Sequence, residues 1–177
     1  MAVLTAVVLV FAALCLVNLL LTWAIVKRLR VHTEMLNGLN GSASLGVGQE
    51  VTDFAVATVD GERIDRDSLA GKTLVGFFTP TCEACKEKLP KFAQFARRHG
   101  RDRTMAVVVG TAERVTAQVA TLREVARVVV EERNDGPVCS AFQVMAFPAV
   151  LSVGPDDNGR VVVIDDRVRL DRQPASA

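Results

Sequence analysis

The sequence predicts an α/β domain in which a mixed central sheet is flanked by helices, with an apolar helix before it. Apolar runs of strand length alternate with segments of helical periodicity from Thr73 to Val130, and this alternation favours parallel pairing at the centre of a sheet. The turn-rich segment from Gly154 to Gly159 then separates two further apolar runs, which predicts an antiparallel hairpin at one edge.

The apolar N-terminal stretch from Ala2 to Val26 contains no charged residue. At about 1.5 Å per residue, a helix over this stretch is longer than the roughly 30 Å hydrocarbon core of a bilayer. A cleaved signal peptide would have a shorter apolar core with basic residues before it. We therefore expect residues 1–30 to form an uncleaved transmembrane anchor with a basic flank, and the polar, glycine-containing residues 31–46 to form a flexible linker.

A cysteine pair lies between the most apolar strand of the domain and a helix. Thr73–Phe78 has the pattern of a buried strand, and Cys82 and Cys85 then open a segment that keeps apolar residues at helical spacing. A cysteine at a helix start lies near unsatisfied backbone N–H groups and the positive end of the helix dipole. That position lowers the pKa of a thiol, and the thiolate is the nucleophile in disulfide exchange. The same spacing also occurs in half of a zinc site or in two core residues.

Two prolines outside the cysteine pair help to identify the kind of domain that carries it. Pro90 lies inside the predicted helix, where proline causes a kink, and Pro148 leads an apolar run far downstream. Together with the cysteine pair they resemble the thioredoxin superfamily, in which a cis-proline faces the cysteines. The lead-in from Val47 to Lys72 resembles the redoxin branch, which includes membrane-anchored thiol–disulfide oxidoreductases of the TlpA and MauD type and peroxiredoxins. The resemblance implies a thioredoxin-like domain over residues 47–164. Residues 165–177 are polar and lack an apolar face for the helix that closes the family's fold, so we expect them to form a polar C-terminal tail.

The resemblance also implies roles for individual residues. Cys82 would attack a substrate disulfide, and Cys85 would resolve the mixed disulfide. Phe147 and a cis Pro148 would present backbone that pairs with the substrate. The expected partners are proteins that carry disulfides or dithiols and an unidentified thiol electron donor, with no cofactor and no metal. A balance of 21 basic and 20 acidic residues without a basic stripe gives no indication of nucleic-acid binding.

The motif departs from the family at positions expected to tune the cysteines. Glu83 places negative charge beside Cys82, which opposes a thiolate and predicts a reductant rather than a strong oxidant. Lys86 and Lys88 act in the other direction but are expected to be solvated and screened. Ala84 stands where thioredoxins and many relatives have proline, and Gly76 stands where thioredoxin has a buried acid. The second cysteine therefore has no assigned proton acceptor.

Three other functions stay open. A peroxiredoxin-like thiol peroxidase would share the lead-in and Thr79, but Val75 stands where that family has proline. A copper or zinc module would need more ligands than the cysteine pair and Cys139 can supply. A non-catalytic thioredoxin-fold binding module would keep the fold without the chemistry. Cys139 itself fits either a small core residue or a third redox cysteine.

Two observations about membrane orientation conflict. Lys27, Arg28 and Arg30 follow the apolar stretch, and the positive-inside tendency would place the following domain in the cytoplasm. Anchored proteins of the TlpA and MauD type carry this domain on the outer face instead. Because the charge rule is a bias with exceptions, we expect a single-pass protein of the cell membrane with its redox domain on the extracytoplasmic face.

Overall fold

The computed structural model describes residues 4, 5, 7, 9, 11, 14–16, 18, 44–69 and 71–171. The chain divides into two units, Met1–Gly41 and Ser42–Ala177. In the first unit, the described residues are helical and exposed. Within the described residues, no helix combines the length and the apolar character needed to cross a bilayer. The predicted anchor and linker lie largely outside the described part of the chain.

The second unit contains the predicted alternation of strands and helices. Its elements in the described residues are, in chain order, β1 (Ala55–Ala57), β2 (Arg63–Asp65), β3 (Thr73–Phe78), α1 (Glu83–His99), β4 (Thr104–Val109), α2 (Ala112–Arg123), β5 (Arg127–Glu131), α3 (Pro137–Ala141), β6 (Ala149–Pro155) and β7 (Val161–Asp165). Single turns of 3-10 helix precede β3 and β4 at Asp67–Leu69 and Arg101–Arg103. The strand β3 and the helix α1 therefore flank the cysteine pair as predicted.

In the described part of the chain, five strands form one mixed sheet in the order β5-β4-β3-β6-β7. The pairs β3–β4 and β4–β5 are parallel, whereas β6 is antiparallel to both β3 and β7. The predicted parallel centre and antiparallel edge hairpin are thus confirmed. β1 and β2 form a separate antiparallel hairpin, which turns at Gly61 with a φ of 82°. That positive φ suits glycine.

Side chains pack on both faces of the sheet, because successive residues of a strand point to opposite sides. On one face, α1 and α2 cover the sheet, and the rings of Phe78 and Phe92 lie 5.1 Å apart. On the other face, the β1–β2 hairpin and α3 cover the sheet, and Phe77 lies 5.2 Å from Phe142. Every residue of β3 is buried. The cysteine pair therefore follows a strand that is buried along its whole length.

Packed residues also lie beyond the predicted domain ends. Leu45, in the predicted linker, is buried, and its N–H donates to the carbonyl oxygen of Phe142 at 2.9 Å. In the predicted polar tail, Leu170 is buried and Val168 is half-buried, and both pack on the face that carries α1. The sequence pattern did not show this cover, because two aliphatic residues among charged ones give neither a helical nor a strand period.

Candidate active site

The cysteine pair lies where β3 ends and α1 begins. A short turn follows Phe78, and α1 starts at Glu83 with Cys82 as its N-cap residue. The Sγ atom of Cys82 accepts a hydrogen bond from the backbone N–H of Cys85 at 3.2 Å. The first sulfur thus satisfies one of the N–H groups that a helix start leaves without a partner inside the helix.

The two sulfurs differ in exposure. Cys82 is half-buried, whereas Cys85 is 0% exposed, and both are free thiols. Burial and, next, the hydrogen bond with Cys82 raise the pKa of Cys85 to about 12, because a thiolate that is removed from water loses its solvation. Cys85 therefore stays a protonated thiol at neutral pH.

The loop before β6 meets the first cysteine. The Phe147–Pro148 peptide bond is cis, as predicted. The carbonyl oxygen of Phe147 accepts a hydrogen bond from the thiol of Cys82, with 3.4 Å between oxygen and sulfur. Within residues 44–69 and 71–171, no hydrogen bond takes up the backbone N–H of Phe147. The predicted cysteines and the predicted backbone segment are thus adjacent, while their roles stay predictions.

Glu131, at the end of β5, is a buried carboxylate that the sequence analysis did not single out. Its two oxygens accept hydrogen bonds from the backbone N–H groups of Val138 at 2.6 Å and Cys139 at 3.1 Å. Glu131 thereby satisfies two N–H groups at the start of α3 and fixes the helix that leads into the loop at Phe147. A Cβ atom at Gly136 would collide with this carboxylate. The sequence gives no signal that separates buried Glu131 from exposed Glu132.

Cys139 does not join the cysteine pair. Its side chain lies in the cluster on the α3 face of the sheet, whereas Cys85 lies in the cluster on the α1 face. Burial, followed by the hydrogen bond and the charge of Glu131, raises the pKa of Cys139. A buried, protonated thiol on the other side of the sheet acts as a core residue, which is the first of the two predicted interpretations.

Aromatic packing explains why Gly76 stands where thioredoxin has a buried acid. A Cβ atom at Gly76 would lie 2.5 Å from Cε2 of Phe92 and 2.8 Å from Cε2 of Phe78. Both rings are fully buried. A carboxylate side chain at this position would have to displace them, so the sheet surface beneath Cys85 is apolar.

The residues predicted to tune the pair, Glu83 and Ala84, are both exposed. Oε2 of Glu83 lies 2.8 Å from Nζ of Lys86, so the two charges form an ion pair. From the sequence, Lys86 is expected to be solvated and to matter less than Glu83. Because opposite charges held this close largely cancel at a third group, the charge argument for a reductant is weaker than predicted.

Comparison with known proteins gives one curated relative. The sporulation thiol-disulfide oxidoreductase A of Bacillus subtilis is 36% identical over 56 residues. The match covers 32% of this chain and 34% of the relative. This chain thus aligns with only about a third of that protein's length.

Solved structures show the same fold at low sequence identity. The thioredoxin domain of a thiol-disulfide oxidoreductase from Bacteroides vulgatus superimposes with a TM-score of 0.51 and 18% identity, over 68% of this chain and 88% of that chain. A thiol:disulfide interchange protein from Bacteroides sp. gives 0.55 and 16%, over 72% of this chain and 84% of that chain. Both show a thioredoxin-like fold. Because residues 47–163 match the AhpC/TSA family, the chain belongs to this redoxin family.

Proposed function

We propose that this protein is a thiol–disulfide oxidoreductase that exchanges disulfides with polypeptide substrates through Cys82 and Cys85. The contrast between the two sulfurs carries the proposal. Cys82 is half-buried and accepts an N–H from the helix start at 3.2 Å, while Cys85 is buried with a pKa raised to about 12. An accessible nucleophile beside a shielded second thiol suits a reaction that runs through a mixed disulfide.

The exchange proceeds in two displacements. Cys82, as a thiolate, attacks one sulfur of the substrate disulfide; that S–S bond breaks, and the other substrate sulfur leaves as a thiolate and takes up a proton. Cys85 then attacks the sulfur of Cys82, so that the Cys82–Cys85 disulfide forms and the second substrate sulfur is released. The proton that Cys85 loses to the solvent is balanced by the proton that this departing thiolate takes up from it. A thiol donor returns two electrons and two protons to the pair.

We further propose that the physiological direction is reduction of the substrate. Strong oxidants of this type have a reduced form with an unusually stable thiolate. Here the sulfur of Cys82 accepts one backbone hydrogen bond, from the N–H of Cys85. It also lies 3.4 Å from the carbonyl oxygen of Phe147, which can accept a hydrogen bond from a thiol but cannot donate one to a thiolate. The ion pair with Glu83 offsets the positive charge of Lys86 beside the sulfur.

We also propose that the protein is anchored in the cell membrane, which the uncharged stretch from Ala2 to Val26 supports. Placing its redox domain on the extracytoplasmic face rests on the resemblance to anchored proteins of the TlpA and MauD type. A membrane-impermeant thiol reagent applied to intact cells tests this topology. Labelling of Cys82 before lysis is the expected result. Labelling that requires lysis would instead place the domain in the cytoplasm, as the basic residues after the stretch indicate.

Reduction of a protein disulfide by dithiothreitol, with and without the protein, tests the activity. We expect the wild-type protein to accelerate this reduction, Cys82→Ser to fall to the background rate and Cys139→Ala, altered on the other face of the sheet, to keep the wild-type rate. Hydrogen peroxide consumption that depends on Cys82, without disulfide exchange, would favour the thiol peroxidase. A folded wild-type protein without either activity would favour the non-catalytic module.

A further inference from the structure

An exposed apolar side chain lies in the loop that reaches Cys82. Met145 is 81% exposed, the highest value among the large hydrophobic side chains in residues 44–69 and 71–171. Ala146 is exposed as well, and Phe147 and Pro148 are half-buried. Contiguous exposed apolar surface of this kind marks an interaction site more often than a single scattered residue does.

The backbone of the same segment is open. The N–H of Val144 donates to the carbonyl oxygen of Cys139 at 2.9 Å. Within residues 44–69 and 71–171, the N–H groups of Met145, Ala146 and Phe147 donate no hydrogen bond to the protein. Backbone N–H groups that have no partner within the protein can pair with an extended peptide. The segment thus offers both backbone partners and an apolar side chain.

Met145 lies two residues before the residue that contacts the sulfur of Cys82. Successive Cα atoms are about 3.8 Å apart, so the Cα of Met145 lies within about 7.6 Å of the Cα of Phe147. The carbonyl oxygen of Phe147 is 3.4 Å from the sulfur of Cys82. An extended peptide advances roughly 3.3–3.6 Å per residue. A substrate whose cysteine sulfur is at Cys82 can therefore reach Met145 with a residue that lies close to that cysteine in its own sequence.

The first two charged side chains after Cys82 offset each other. Glu83 and Lys86 pair with each other at 2.8 Å. The residues on the other side of Cys82 are uncharged, and the hydroxyl oxygens of Thr79 and Thr81 lie 3.3 Å apart. Apolar contact and main-chain pairing remain as the means of recognition, and a flexible, polarizable methionine adapts to differently shaped partners.

We propose that Met145 is a specificity residue that selects extended polypeptide segments with an apolar side chain close to their disulfide. This inference rests on the exchange function proposed above. Its substrate class is a polypeptide that is not fully folded, since a folded chain would bury the apolar side chain. Small charged disulfides, which lack this side chain, are the disfavoured class.

Two synthetic peptides test the proposal, each with one cysteine joined in a disulfide to thiopyridine and with either leucine or serine two residues away. The rate constant for release of thiopyridine by the reduced protein is measured for both peptides. Covering roughly 55 Å² of apolar surface at about 25 cal/mol per Å² corresponds to about a tenfold preference for the leucine peptide. We expect Met145→Gln to bring the ratio of the two rate constants close to one and Met145→Leu to restore it. Ile164→Gln, which alters an apolar side chain of β7 that is 42% exposed, should keep the wild-type ratio.

The outcomes separate the two proposals. An unchanged ratio in Met145→Gln, or an equal loss of rate for both peptides, would overturn the role of Met145 and leave the exchange function standing. A folded wild-type protein that releases thiopyridine from neither peptide would overturn the exchange function and this inference together.

Discussion

Raising the pH tests the environment of Cys85, because burial and, next, the hydrogen bond with Cys82 raise the pKa of this thiol to about 12. Reduction of the disulfide adds two electrons, and each sulfur also takes up a proton wherever the pH is below its own pKa. A cysteine with the ordinary pKa of about 8.5 stops taking up a proton above about pH 9.5. Cys85 is expected to continue to take up a proton on reduction until about pH 12.

The size of the effect follows from the stoichiometry. One proton taken up with two electrons lowers the reduction potential by about 30 mV for each pH unit. Between about pH 9.5 and 11, Cys85 alone should therefore lower the potential by about 45 mV.

The reduction potential is measured by equilibrating the protein with dithiothreitol buffers whose own potential is determined at each pH. After acid quenching and alkylation, mass spectrometry counts the reduced fraction. Cys139→Ala is the matched control, and its slope should equal that of the wild-type protein, because Cys139 lies on the other face of the sheet and keeps its oxidation state. A potential that does not change with pH in this range would refute the argument, since Cys85 would then already be a thiolate.

Three further predictions concern stability, reactivity and direction. Gly76→Ala should lower the free energy of unfolding by about 1–3 kcal/mol through overpacking. Gly71→Ala, whose Cβ would meet nothing within 4 Å, should lower it less. Equal losses of stability for the two variants in chemical denaturation would contradict the packing account. Alkylation of the reduced protein below neutral pH should modify Cys82 first, because Cys85 and Cys139 are buried with raised pKa values, and prior labelling of either buried thiol would reverse the assignment. The reduction potential at neutral pH should lie below about −200 mV in glutathione buffers, and a value above about −150 mV would indicate an oxidant.

The sequence was most informative where its signals are local. β3 occupies the predicted residues Thr73–Phe78, because an uninterrupted apolar run of strand length needs no tertiary information. α1 ends at His99, where Gly100 follows with a φ of 99°. Such a helix end is also encoded locally. The adjacency of Cys82 and Phe147 came from the family resemblance, since nothing in the spacing of two distant residues indicates contact.

Features that depend on tertiary packing were not predictable. Glu131 is buried only because α3 returns to the end of β5, and the sequence does not encode that return in a short pattern. Leu170 covers the α1 face from a segment without periodicity. The strands β1 and β2 are three residues each, too short to show alternation. The ion pair of Glu83 with Lys86 depends on the conformation of two exposed side chains.

The central claim is that Cys82 attacks the substrate and Cys85 resolves the mixed disulfide, and a trapping experiment tests it most directly. Reduced Cys85→Ser protein is incubated with a polypeptide that contains a disulfide, and any covalent adduct is mapped by mass spectrometry. A stable mixed disulfide at Cys82, absent from a variant that also carries Cys82→Ser, is the predicted result. An adduct at Cys139, or no adduct while the wild-type protein still exchanges disulfides, would contradict the account.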